Sequence, residues 1–134
     1  MRVFLDANVL FSAAYRPRAG LSILWKLPKV QLITSTYAFE EALRNLKQEH
    51  QHNRLNRLKN GLECIAIEYT NYSLPTAIQL PQKDIPILVA AIYSKADYLI
   101  TGDYKDFGKY YNRVIEGVKI MPPAAFITEV RSHL

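Results

Sequence analysis

MRVFLDANVLFSA, residues 1–13, decides how this chain is read. Val3, Phe4 and Leu5 form the apolar run of a buried strand, yet the run ends at Asp6. Asn8 follows, and Val9, Leu10 and Phe11 resume the apolar pattern. A simple turn would bring glycine or proline, and neither occurs before Pro17. A core strand that delivers a carboxylate at its carboxyl end suits an open α/β sheet, where ligands bind in the crevice at that edge.

Working outward, the same alternation continues. Asn8 to Tyr15 is helix-compatible and is broken by Pro17 to Gly20; LSILWKL (21–27) suits a second short helix ended by Pro28; VQLIT (30–34) reads as a strand. Ser35 or Thr36 can cap a helix over 37–49, in which Phe39, Ala42, Leu43 and Leu46 follow the spacing of a core stripe. HQHNRLNRLKNGL (50–62) continues it as a polar, basic helix stopped near Gly61, and CIAIEY (64–69) is strand-like. Residues 71–83 hold Pro75 and Pro81 and read mostly as loop. DIPILVAAIYSKA (84–96) predicts a buried helix, with Asp84 as cap and Pro86 in the tolerated first turn. DYLITGD (97–103) is a strand turning at Gly102, GVKIM (117–121) a late strand, and PPAAFITEVRSHL (122–134) a closing helix. Strands alternating with helices imply a parallel sheet covered on both faces. No repeat or long linker interrupts the pattern, so residues 1–134 are expected to form a single domain.

Composition narrows the class. The chain has 134 residues and one cysteine, Cys64, so no intramolecular disulfide forms, which fits a reducing compartment. No apolar run approaches the roughly 20 residues of a membrane span, and Asp6 and Asn8 interrupt any leader-like start. A cytoplasmic location is expected. Seventeen Lys and Arg against twelve Asp and Glu give a net charge of +5, which favours polyanion partners.

The carboxylates carry the chemistry. Asp6 and Asp103 each end an apolar strand, Asp84 opens a helix, and Glu40 and Glu41 lie in the first turns of the helix after VQLIT. Each has a structural reading as turn, cap or helix-dipole residue. Together they aim acids at one rim. Two unit charges about 5 Å apart repel by about 3 kcal/mol at an effective dielectric near 20, so either pKa values rise or a cation enters. The candidate ligands, with Asn8 and Thr101, are all hard oxygens, which suits Mg²⁺ or Mn²⁺ rather than zinc. Such a cation works on phosphates, polarising oxygens and activating water. The basic stretch Arg44, Lys47, Arg54, Arg57 and Lys59 is expected as a ridge tracking a nucleic-acid phosphate backbone; a solvated helical face is the alternative. LSILWKL and the aromatics Tyr110 and Tyr111 could form an apolar patch for a homodimer.

With these residues in hand, the chain resembles the PIN-domain nucleases over nearly its whole length. The resemblance rests on FLDANVLFSA, ITSTYAFEEALRNL, KDIPILVAAIYSKADYLITGD and YKDFGKYY. By position it assigns the acidic site to Asp6, Glu41, Asp84 and Asp103, with Asn8 and Thr101 as supporting polar residues. Glu41 rather than Glu40 rests on the resemblance, since a helical wheel does not separate them. Some members carry a further acid after the TGD aspartate; Asp106 stands here with two residues between. The family implies a three-layer α/β/α fold, Mg²⁺- or Mn²⁺-dependent hydrolysis of RNA and frequent homodimers. Many small bacterial members of this length act as toxins restrained by an antitoxin. Two other functions remain open from the sequence. One is a phosphohydrolase with Asp6 as covalent nucleophile, disfavoured because Asn8 stands where such enzymes usually want an acid. The other is a catalytically silent module that binds nucleic acid or a partner.

Overall fold

The computed structural model describes residues 1–67 and 74–132. Six strands build one sheet in the order β3-β2-β1-β4-β6-β5. They are β1 (Arg2–Leu5), β2 (Gln31–Ser35), β3 (Leu62–Ile65), β4 (Tyr98–Ile100), β5 (Val114–Ile115) and β6 (Val118–Met121). The first four and β6 run parallel; β5 alone is antiparallel, at the edge. The chain moves from β1 outward through β2 to β3, then returns to β1's other side with β4. The strand order therefore reverses between β1 and β4, and a crevice opens at their carboxyl ends.

Side-chain alternation divides the core in two. Val3, Leu5, Leu32, Ile100 and Met121 face one layer with Val9, Leu10, Phe39, Leu55 and Phe126. Phe4, Ile33, Leu99 and Ile120 face the other with Ile87, Leu88, Ala91 and Phe107. The first layer holds helix α1 (Ala7–Ala14), a 3-10 segment (Gly20–Lys26), α3 (Glu49–Leu58) and α6 (Pro123–Arg131). The second holds α4 (Ile85–Tyr93) and the short α5 (Tyr104–Phe107). Helix α2 (Thr36–Asn45) lends Phe39 to one and Ala38 to the other. This is the expected α/β/α sandwich around a mostly parallel sheet. IPILVAAIY is apolar on all sides because α4 is buried along most of its length.

Several expectations are corrected. The helix expected over 37–49 ends at Asn45, and a separate helix begins at Glu49. Leu46 turns extended and buries its side chain. The carbonyls freed by that break are taken by side chains: His52 bonds Leu46 O and the Lys47 ammonium donates to Arg44 O. LSILWKL forms a 3-10 turn rather than an α-helix. CIAIEY yields only a four-residue, half-buried edge strand, Leu62–Ile65, and its last two residues lie outside the described residues, as do 71–73 of the loop. Strand β5 escapes the sequence reading because its hairpin turn uses Glu116 and Gly117, both at positive φ, where a hairpin usually shows Asn-Gly. Two aromatics of the expected dimer patch are engaged within the fold. Trp25 packs on Gly61 and donates to Leu58 O at 2.9 Å, and Tyr110 is buried.

The α1–α3 contact has a polar lock. Arg54 donates from Nε to Ala14 O at 3.0 Å and from Nη2 to Tyr15 O at 3.1 Å, and Gln51 Nε2 donates to Tyr15 O at 3.0 Å. These bonds satisfy carbonyls that the end of α1 leaves open. Arg54→Ala is therefore expected to lower stability by about 1–3 kcal/mol, read as a lower urea midpoint, with or without nucleic acid present. A neutral effect would show that the lock contributes nothing.

Candidate functional site

Strand β1 ends at Leu5, and Asp6 continues its pairing to β4 by donating its N–H to Ile100 O at 3.0 Å. Thr101 leaves β4 in the same plane. Its hydroxyl donates to Asp6 Oδ2 at 2.8 Å and accepts from the Asp103 N–H at 3.1 Å. Asn8 completes the node. Its Nδ2 donates to Asp6 Oδ2 at 3.1 Å, and its Oδ1 accepts from the Gly102 N–H at 2.7 Å. A Cβ on Gly102 would stand 3.2 Å from that Oδ1, so the close approach favours glycine. Asp6 Oδ1 accepts from the Ala7 N–H, capping α1.

A cleft of about 310 Å³ opens on this node, lined by Asp6, Asn8, Glu41, Lys83, Asp84, Gly102 and Asp103. The four acids expected from the sequence thus share one cleft. Glu41 lines it, whereas Glu40 is exposed. Asp103 caps α5 by accepting from the Asp106 N–H at 3.1 Å. Asp84 occupies the cap position of α4 yet makes no capping bond; its buried Oδ2 has no hydrogen-bond partner. One carboxylate oxygen each from Asp84, Asp103 and Asp106 lies within 4.8 Å of the others. Charges at that spacing repel by about 3 kcal/mol per pair at an effective dielectric near 20.

The protonation pattern follows. Burial, with the charges of Glu41 and Asp103 adding, pushes Asp6 up to about 6, although the bonds from Thr101 and Ala7 pull it down. Burial, and then the Asp106 carboxyl alongside, push Asp84 up to about 7. The same pairing holds Asp106 below the usual carboxylate range. Lys83, with its ammonium 3.6 Å from Asp106 Oδ2, is the one cation lining the cleft among the described residues. The donor set is entirely hard oxygen, and the orphaned Asp84 oxygen is an acceptor aimed at no donor. These residues fit a hard divalent cation.

Two participants were missed or left unplaced by the sequence. Asp106 stands three residues after the Asp103 cap, the spacing that brings a first-turn acid back beside its cap residue. Lys83 adjoins Asp84 and is fixed through its own carbonyl, which accepts from the Tyr37 hydroxyl at 2.8 Å. The expected basic ridge is divided. Arg44 and Lys47 sit at the end of α2, Lys59 lies over the Phe39 ring at 4.8 Å, and Arg54 locks α1. Arg57, exposed on the last turn of α3, lines one cavity with Arg54, away from Arg44, Lys47 and Lys59.

A doubly wound sheet whose switch-point crevice gathers carboxylates around a buried aspartate defines an α/β protein with a cation-ready site. The chain belongs to the PIN-domain family, whose domain model matches residues 2–105. Two solved structures are similar to it. VapBC2 from Rickettsia felis, bound to a DNA fragment from their promoter, shares 19% identity at a TM-score of 0.62, covering 91% of this chain and 98% of that one. A toxin–antitoxin complex from Klebsiella pneumoniae shares 25% identity at a TM-score of 0.64, covering 90% and 97%. No curated protein sequence matches the chain.

Unfolded aspartates titrate near 3.9, so folded values of about 6 and about 7 mean that the metal-free fold holds protons the unfolded chain has lost. The contribution is complete below about pH 4 and disappears as pH rises through 6 and 7. The melting temperature in EDTA is expected to fall across that window and flatten near pH 8. Asp84→Asn, which cannot ionise, is expected to lose the upper part of the fall. Melting curves that rise together from pH 5 to 8 would contradict the assignment.

Proposed function

We propose that this protein is a metal-dependent endoribonuclease of the toxin type, working in the cytoplasm and restrained by an antitoxin protein. The observation that carries the reading is the convergence of Asp84, Asp103 and Asp106 within 4.8 Å, beside Asp6 and Glu41, in a PIN-family chain. The toxin assignment rests further on likeness to the Klebsiella pneumoniae complex. In this reading Asp84, Asp103 and Asp106 hold Mg²⁺ or Mn²⁺, with Asp6 and Glu41 completing the acidic wall. When bound, such a cation would supply Lewis acidity toward a phosphodiester and lower the pKa of water. Thr101 and Asn8 fix the direction of the Asp6 carboxylate, because both donate to its Oδ2. To hold the cation Asp84 would have to be ionised, since a carboxylate ligand is deprotonated. Lys83 stands where it can meet a phosphate oxygen.

The test is labelled single-stranded RNA incubated with Mn²⁺, with Mg²⁺ and with EDTA. Cleavage is expected only with metal, and Asp6→Asn or Asp103→Asn should reduce it by more than about a hundredfold. Thr101→Val keeps the shape and removes the hydroxyl that orients Asp6, so a loss of about 10- to 100-fold is expected. Binding of RNA without cleavage under any metal would replace this reading with that of a silent binding module.

A further inference from the structure

The end of α1 remote from the acidic cleft carries a second polar feature, opposite in sign. A cavity of about 280 Å³ there is lined by Arg16, Arg18, Arg54 and Arg57, with Ser22 among them. The ion pairs among the described residues are Arg2–Glu63, Lys83–Asp106 and Lys119–Glu129, so none of these four arginines meets a carboxylate. Arg54 is fastened by its bonds to Ala14 O and Tyr15 O. Arg16, Arg18 and Arg57 are exposed. Arg18 stands at φ 57°, a left-handed position that glycine would adopt at less cost, yet the chain places a guanidinium there. Four guanidinium groups around one hollow, none of them paired with a carboxylate, make a positive surface that an anion would complement.

A second cavity, of about 400 Å³, adjoins the first through Arg16, which lines both. It is walled by Phe11 and Tyr15, whose rings sit 5.3 Å apart, and Tyr15 is 53% exposed. An exposed aromatic ring beside a cluster of arginines is a pairing that suits single-stranded nucleic acid: the ring stacks a base and the planar fork grips a phosphate. An acidic peptide would satisfy the arginines but make no use of the ring face.

We infer that Arg16, Arg18, Arg54 and Arg57, with Tyr15, form a subsite for single-stranded RNA separate from the acidic cleft. The choice of RNA rests on the ribonuclease reading above; the anion and base chemistry does not. Asn8 in the cleft and Ala14 at the far end of α1, just before the arginine cavity, are six residues apart along one helix, about 9 Å at 1.5 Å per residue. A stacked strand covers that distance in about three nucleotides at about 3.4 Å each. The subsite therefore grips the substrate a few nucleotides from the bond to be cut.

The test is fluorescence anisotropy of a labelled single-stranded RNA of about twelve nucleotides, in EDTA so that nothing turns over, across a range of salt. Arg16→Ala with Arg57→Ala should weaken binding at least about tenfold. It should also flatten the log–log salt slope by about 1.4, two contacts at about 0.7 each. Tyr15→Ala should weaken binding at least about fivefold and leave the slope unchanged. Lys26→Ala with Arg131→Ala, an equal charge loss at exposed positions elsewhere, should change affinity less than about threefold. Circular dichroism melts of each variant separate lost binding from lost fold; if the double variant does not fold, Arg57→Glu alone is read in its place.

Equal losses in the two double variants, or none in either, overturn the subsite. So does an acidic peptide that binds these arginines tighter than the RNA. If the wild-type protein cleaves RNA while the arginine variants bind normally, the subsite fails and the ribonuclease reading stands. If the protein never cleaves RNA but the arginine variants lose binding selectively, the subsite stands and the ribonuclease reading fails.

Discussion

The hydroxyl of Thr101 donates to Asp6 Oδ2 across the seam between β4 and β1, and the site depends on that contact. Parallel pairing of the two strands, with Leu5 beside Ile100, brings their carboxyl ends level. The chain leaves each strand in a different direction, into α1 and toward α5, so the seam opens there rather than closing over. Asn8 and Gly102 then tie the two exits together. A buried carboxylate accepting three hydrogen bonds is held in one orientation at little conformational cost, because its neighbours are already fixed by the sheet.

Around that fixed centre the remaining acids are arranged less comfortably. Asp84 is buried at a cap position without capping, and its Oδ2 is left without a donor. Asp103 and Asp106 are bound into one turn of chain by the bond from the Asp106 N–H, which fixes their spacing whatever their charges prefer. Strain of this kind is a mark of a site shaped for a ligand rather than for the stability of the empty fold. The two raised carboxyls record the same tension as proton affinity.

The layer that carries α1 and α3 has a different logic. Arg54 serves as a helix-end lock, Gln51 and His52 take carbonyls that helix breaks release, and Lys59 covers an aromatic ring. A run of cations that reads as one basic face is thus divided among structural tasks. The uncompensated positive charge is assembled from both helices' ends and the loop after α1. Charge in a sequence becomes a surface only after the backbone has used what it needs.

The strand β1, the strand β4 and the acids that follow them were legible in the sequence because each depends on local pattern: an apolar run, then an abrupt carboxylate. The buried helix α4 was legible for the same reason, with Pro86 and the continuous apolar run IPILVAAIY marking it. The break at Leu46 was not, since it exists to bury one side chain against elements distant in the chain. Nor was the β5 hairpin, whose turn departs from the usual residues. For the site, the sequence pattern located Asp6, Asp84 and Asp103 on the rim; the helical spacing left Glu40 and Glu41 unseparated, the resemblance chose Glu41, and the tertiary structure lines the cleft with Glu41 and leaves Glu40 exposed. It also drew Asp106 to Asp84, 22 positions apart in sequence. Residue type and local spacing set which groups a strand end presents; the pairing of β1 with β4 and the docking of α4 decide which of them meet, because those distances are fixed by contacts between segments that the sequence keeps apart.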